Sequence, residues 1–249
     1  MKLVIFDLDD TLVNFAATRE VAHCELATVL DREGIDSATF LRACTQVDRP
    51  LFSLFEQGRL TRQEYRLRRF SDPFDLVGLP PNSDLVSRLN KVFMDCVNDR
   101  PLLFDDVRPV LSALRARGVA TAILTNGPSD GQRRKLKATG LDRCVDHIAI
   151  GEETGFSKPS PMAFLQVVER FPIAPSEALM VGDSPHLDYD AALSAGLMAV
   201  LLDRDDRHRG SGRASIRTLD GVLSPPSPSP PGTASPQPPE QDEGARHPA

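Results

Sequence analysis

Two carboxylates stand two residues apart in Asp7-Leu8-Asp9-Asp10-Thr11, directly after the apolar run Leu3-Val4-Ile5-Phe6. In extended backbone, side chains two apart point the same way, so Asp7 and Asp9 converge on one spot. Paired carboxylates can attack an electrophile, move a proton or hold a hard cation. Three further clusters carry useful chemistry. Thr125-Asn126-Gly127 follows Ala122-Ile123-Leu124, and Lys158 sits in Ser157-Lys158-Pro159. Gly182-Asp183-Ser184 follows Met180-Val181, with Asp188 five residues beyond Asp183. Transfer of a phosphoryl group needs a nucleophile, neutralisation of its charge and a proton donor for the leaving group. Carboxylates, a lysine and hydroxyl or amide donors are the residue types for that task.

The elements that must position these residues can be read from periodicity. A strand spans Lys2 to Phe6. From Phe15 to Arg100 apolar residues recur at three- and four-residue spacing, as in Leu85, Leu89, Val92, Phe93 and Cys96, which predicts helices. Gly34, Pro50, Gly58, Pro73, Gly78 and Pro80-Pro81 are expected to break this zone into four or five of them. Beyond Leu103, apolar runs at Val119–Leu124, His147–Ile150, Leu179–Val181 and Ala199–Leu202 alternate with helical stretches. Those stretches lie near Val107–Arg117, Ser129–Thr139, Pro161–Arg170 and Asp188–Ala195. Such alternation predicts βαβ units, an α/β class and a doubly wound parallel sheet. The first strand has no local partner and must join that sheet. The expected organisation is a core of residues 1–14 and 101–223, an inserted all-helical cap of residues 15–100, and a Pro/Ser-rich tail of residues 224–249. That tail has too little apolar surface to offset its ordering entropy and is expected to be disordered. In an open parallel sheet, ligands bind at the carboxyl ends of the strands, where the winding reverses. All four clusters fall at strand ends or just before a helix.

The whole chain narrows the function. At 249 residues it can bury a sizeable core. A net charge of −6 argues against nucleic acid as a partner, since a surface that tracks phosphates needs excess Lys and Arg. The apolar opening is too short for a signal core. No stretch approaches the roughly 18 apolar residues of a membrane span, so no membrane partner is expected. Cys24, Cys44, Cys96 and Cys144 are scattered, as are the five histidines, so neither a disulfide framework nor zinc spacing is present. These features predict a cytoplasmic protein with reduced thiols.

Taken in order, Asp7-x-Asp9-x-Thr11, Thr125, Lys158 and Gly182-Asp183 with Asp188 resemble the four motifs of the haloacid dehalogenase superfamily. They span the chain except its tail, and the helical insertion is similar to that superfamily's helical cap class. The resemblance implies a Rossmann-like core, Mg²⁺ as cofactor and an aspartyl-phosphate intermediate. It makes Asp7 the nucleophile and Asp9 the general acid, then base. Asp7, Asp183 and the Asp9 backbone carbonyl become the metal ligands. Thr125, backbone N–H groups near Leu8 and Asn126, and Lys158 become the phosphate-binding groups. Asp188 is implied to orient a metal-bound water or Lys158 from outside the ligand set. Taken singly, each residue has a plainer reading: Asp9 or Thr125-Asn126-Gly127 as turn residues, Lys158 as a solvated lysine, Asp188 as a helix cap, Asp10 as structural.

The implied activity is hydrolysis of a small phosphorylated metabolite: a nucleoside monophosphate, a sugar phosphate or phosphoglycolate. Phosphomutase, metal-free haloacid dehalogenation and a non-catalytic binding role are the alternatives. Dehalogenases of this superfamily generally lack an aspartate matching Asp9. The cap should select substrate, because nothing in the phosphate-gripping core reads the leaving group. Arg19, Arg49, Arg66 and Arg69 there could meet an acidic substrate or form a solvated helix face, and Phe15 could lie over the site or under the cap.

Overall fold

The computed structural model describes residues 1–224. Apart from Ser224, the expected disordered tail lies outside the described residues. The chain runs from strand β1 (Leu3–Phe6) into four helices, α1 (Phe15–Arg32), α2 (Ser37–Glu56), α3 (Arg62–Leu76) and α4 (Ser83–Asp99). It continues through α5 (Val107–Ala116), β2 (Ala120–Thr125), α6 (Ser129–Thr139), β3 (His147–Ile150), α7 (Gly151–Thr154) and α8 (Pro161–Val168). The last elements are β4 (Ala178–Gly182), α9 (Ala191–Ser194), β5 (Met198–Leu202) and the short β6 (Ser215–Ile216).

The six strands form one parallel sheet in the order β3-β2-β1-β4-β5-β6. β1 pairs with β2 on one side and β4 on the other, so the winding reverses beside β1, which opens a crevice at the strands' carboxyl ends. Helices cover both faces, which is why β1 is apolar throughout. Its alternate residues serve different layers. Val4 and Phe6 pack with Val107, Val110 and Leu136 of α5 and α6, whereas Leu3 and Ile5 pack with Phe164 and Ala192 of α8 and α9. A two-residue strand such as β6 is too short to show a period, and the sequence does not reveal it.

Helices α1–α4 bury a separate cluster that includes Leu26, Phe40, Phe70, Phe74, Leu89 and Phe93. Side chains start each helix: Asn14 accepts from Ala17 N–H at 2.9 Å, Asp36 from Ala38 at 3.2 Å and Asn82 from Leu85 at 3.0 Å. Thr61 and Glu64 form a reciprocal capping box on α3. Of the expected breaks, Gly34, Gly58 and Gly78 lie just past helix ends, and Pro80-Pro81 lie between α3 and α4. Pro50 and Pro73 do not break helices; they lie inside α2 and α3. Packing overrides the local penalty there: Pro73 is buried beside Phe70 and Phe74 on the face that holds α3 in the bundle.

The bundle meets the sheet domain through polar contacts with α6 and α7. Arg134 pairs with Asp95 at 2.8 Å and with Asp99, Arg62 with Glu152 at 2.9 Å, and Arg66 with Asp130 at 3.8 Å. All four thiols are free, with Cys44 and Cys96 buried. No helix among the described residues is long and apolar enough to cross a membrane.

Candidate active site

β1 delivers Asp7 to the crevice. Its backbone N–H donates to Val181 O of β4 at 3.0 Å, which fixes Asp7 beside the end of that strand. Lys158 arrives from the loop before α8 and is almost wholly buried. Its Nζ donates to Asp7 Oδ1 at 2.5 Å and to Asp188 Oδ1 at 2.6 Å. The other oxygen of Asp188 accepts from Ser184 N–H at 3.0 Å. A side chain at Gly182 would occupy the space of the Asp188 carboxylate, which explains a glycine directly before Asp183. Asp188 does not cap the following helix. It lies within a wide turn, Pro185–Asp190, whose cap is Ser184, accepting from Leu187 N–H at 3.1 Å. The Asp188–Ala195 stretch thus begins earlier than its periodicity indicates, because Pro185 fits the first position of a helical turn.

Asp7, Asp183 and Asp188 each present a carboxylate oxygen, all within 4.8 Å of one another. Burial pushes the Asp7 carboxyl up; Lys158 opposes this and Asp188 and Asp183 add to it. Asp183 is pushed up to about 6 by burial, then by Asp188 and Asp10. Burial disfavours the Lys158 cation, but Asp7 and Asp188 outweigh burial and hold it charged above the ordinary lysine range. Asp10 adds a further carboxyl, raised by burial and by Asp9. Five carboxylates thus crowd around two lysines, Lys158 and Lys135. Hard oxygens gathered in such excess fit Mg²⁺, which takes oxygen ligands and would relieve their repulsion. Asp7 and Asp183 would hold it, with Asp188 beside them.

Asp9 is held from the opposite side by residues that the sequence reading missed. Lys135 Nζ donates to Asp9 Oδ1 at 2.6 Å, and Gln132 Nε2 donates to Asp9 Oδ2 at 2.8 Å. The same Gln132 nitrogen donates to Thr125 Oγ1 at 2.7 Å, which ties the ends of β1 and β2 together. A side chain at Gly127 would fill the space of the Gln132 amide. Gln132 and Lys135 are three apart on α6 and share a face, and both are nearly buried. The available signal was that spacing, a polar pair one turn into the helix that follows Thr125. Asn126 turns its amide to the Lys158 loop, accepting from Lys158 N–H at 2.8 Å and donating to Lys158 O at 2.6 Å. Its side chain therefore places Lys158. Asp10 is a turn residue, at φ 60, in the loop that folds Asp9 back towards Val13.

A cleft of about 440 Å³ is lined by Asp10, Asp183, Phe15, Arg19, Arg204 and Arg207 among others. Of the cap arginines, Arg49 is exposed, Arg66 reaches α6, and Arg69 is buried. Arg19 is the one that lines the cleft, together with Phe15.

A parallel sheet that reverses beside β1, with carboxylates and a buried lysine at the reversal, defines a Rossmann-like α/β protein with an aspartate-rich centre. The chain belongs to the haloacid dehalogenase-like hydrolases, whose family model matches residues 1–196. It is 32% identical over 210 residues to a ribulose-1,5-bisphosphate 5-phosphatase of Halopiger xanaduensis, covering 80% of this chain and 84% of that one. A phosphoserine phosphatase of Thermus thermophilus is 42% identical over a shorter stretch, 102 residues, or 41% of each chain. A magnesium-bound crystal structure of the HAD-hydrolase YfnB of Bacillus subtilis superposes with a TM-score of 0.71 at 26% identity. That superposition covers 90% of this chain and 97% of that one.

Proposed function

We propose that this hydrolase is a Mg²⁺-dependent phosphatase of small phosphorylated metabolites that works through an aspartyl-phosphate on Asp7. The observation that carries the reading is the buried Lys158 ammonium set between Asp7 and Asp188, with Asp183 alongside. It orients an aspartate at a strand end and balances part of the charge that a phosphate would bring. The phosphatase names of the two relatives above support the same class.

In the first step Asp7 Oδ2, the oxygen Lys158 does not occupy, attacks phosphorus and the bond to the leaving oxygen breaks. Asp9 gives that oxygen its proton. In the second step water attacks the same phosphorus, the bond to Asp7 breaks, and Asp9 takes the water's proton, which restores the Asp7 carboxylate and the protonated Asp9. Thr125 and the backbone N–H groups near Leu8 and Asn126 bind phosphate oxygens. Gln132 and Lys135 hold Asp9 in place between the two steps. A bound Mg²⁺ would supply charge neutralisation that lets an anionic nucleophile meet an anionic ester. Dehalogenation is the weaker reading, since it uses neither Asp9 nor an acidic cation site.

Released phosphate, measured from a panel of phosphate esters with Mg²⁺ and with EDTA, tests this. The wild type should turn over p-nitrophenyl phosphate only with the cation. Asp7→Asn should fall at least about 10⁴-fold, since an amide cannot carry the phosphoryl group. Undiminished turnover in either arm overturns the reading.

A further inference from the structure

The helical bundle holds a second, much smaller cavity of about 30 Å³, lined by Arg19, His23, Cys44, Asp48, Arg69 and Phe93 among others. Arg69 is the unusual group. It is 8% exposed, and its guanidinium lies over the Phe93 ring at 4.1 Å. Nη2 donates to two neutral acceptors, Asn90 Oδ1 and Met94 Sδ, both at 3.1 Å. Its buried Nε has no partner, and no carboxylate among the described residues lies within ion-pair distance of it. A buried cation left with neutral partners is costly unless something anionic completes it.

The rest of the lining does not supply that anion in full. Asp48 accepts from Tyr65 Oη at 2.9 Å and is the only carboxylate among the described lining residues. Cys44 stays a neutral thiol, pushed up to about 12 by burial. His23 is held below the ordinary imidazole range by burial and then by Arg19. Asp48 acts on Arg69 at longer range, with Tyr65 between them, so what stays open is the unpartnered Nε of Arg69 and the exposed guanidinium of Arg19. Arg19 is exposed on α1 and lines both this cavity and the large cleft that opens onto Asp10 and Asp183. Arg19 thus stands between the small cavity and the cleft. Size narrows the occupant. One water needs roughly 10–15 Å³ of such volume, so about 30 Å³ admits a carboxylate and excludes a sugar ring or a base.

We propose that Arg69 and Arg19 receive a carboxylate on the substrate's leaving group, so that the preferred substrates are small phosphate monoesters of hydroxy acids. This rests on the phosphatase reading above and names the substrate class for that site. Arg69 is set in advance: Phe93 fixes its plane while Asn90 and Met94 hold one end of the fork, so little ordering is needed when the anion arrives.

The test compares phosphoglycolate with hydroxyethyl phosphate, which differ only in carboxylate against hydroxymethyl. Their binding to full-length Asp7→Asn protein with Mg²⁺ is measured by calorimetry, which needs no turnover. The carboxylated ester should bind about 10- to 100-fold more tightly, the worth of one charge-assisted contact. Adding Arg69→Gln should bring the ratio close to unity. Adding Arg19→Gln, an exposed position whose change leaves folding intact, should lower it several-fold. Equal affinities for the two esters, or a preference that survives both arginine changes, overturns the proposal. Turnover of p-nitrophenyl phosphate by the wild type is read in parallel. If that turnover is absent while the carboxylate preference stands, the phosphatase reading fails and the anion site holds.

Discussion

Among the described residues, Arg69 and Arg204 each hold a guanidinium over a phenylalanine ring, and their polar partners differ. Arg204, after β5, lies 3.7 Å from the Phe104 centroid and forks onto Asp106 at 2.8 and 3.0 Å. It also donates to Thr11 O at 3.2 Å, which braces the loop after β1. Arg69, in the helical bundle, stacks on Phe93 with no carboxylate at ion-pair distance among the described residues, Asp48 acting on it from further off. The buried cations of the sheet domain, Arg204 and Lys158, each have carboxylate partners within 3.0 Å, whereas Arg69 has none at ion-pair distance among the described residues. A cation with its own counterion holds a loop in position. One without is shaped for something that comes and goes. That division fits the proposed function, in which the core carries out the phosphoryl chemistry and the bundle selects the ester.

The core side of the comparison breaks most severely at Lys158. Lys158→Met would leave Asp7 and Asp188 facing each other without their cation, about 3–5 kcal/mol of lost stability in metal-free buffer. Turnover should fall by at least about 10³-fold even where Mg²⁺ restores folding, because the lysine orients the nucleophile and balances the phosphate. Denaturant melts with and without Mg²⁺, alongside a phosphate-release assay, check both numbers. A variant as stable as the wild type in EDTA would show that the trio is not a mutually dependent unit.

Much of this was legible in the sequence because the motifs sit at strand ends, and strand ends announce themselves where an apolar run stops at a polar cluster. Asp7, Thr125 and Asp183 were placed in that way, and β1 had to join a later sheet because nothing nearby could pair with it. What stayed hidden depends on contacts between distant segments. Lys135 looks like any helical lysine until α6 packs against the loop after β1 and aims it at Asp9, 126 residues away. Arg69 reads as one charge in an arginine-rich stretch, and only bundle packing buries it. Pro73 misleads for the same reason, since local propensity cannot report the buried packing that outweighs it.

Asp106 gives the next smaller effect and carries a pH signature. Burial raises its carboxyl, but the hydrogen bonds from Arg204 and the Leu219 N–H outweigh burial and hold it below the usual range. A depressed carboxyl stabilises the fold above its unfolded value, near about 4, and loses that contribution as pH falls through the folded value. Asp106→Asn should therefore cost about 2 kcal/mol at neutral pH, leaving Arg204 half-buried without its partner. The gap between wild type and variant should narrow as the pH is taken below about 4. Urea melts at pH 7 and at pH 3 measure it; a constant gap would mean that the contact is steric and not ionic.

The smallest expected change is the sharpest, because its sign opposes the others. If Arg69 is an unfinished ion pair, then without ligand it is a burden on the fold. Arg69→Met keeps the length and apolar bulk of the stem over Phe93 and deletes the buried charge. Its loss frees Asn90 and Met94 of one weak hydrogen bond each, neither of them charged. The balance is a desolvation penalty removed against two neutral acceptors left unpaired and a longer-range attraction to Asp48 lost, so stability should stay within about 0.5 kcal/mol of the wild type or rise. Arg204→Met, the matched change on the other stacked arginine, should instead destabilise by about 2–3 kcal/mol, because it strands the Asp106 carboxylate. Adding phosphoglycolate should then separate them again, raising the melting temperature of the wild type and of Arg204→Met but not that of Arg69→Met. If Arg69→Met unfolds as readily as Arg204→Met, Arg69 is a structural cation like its counterpart, and the bundle holds no open charge for a substrate to complete.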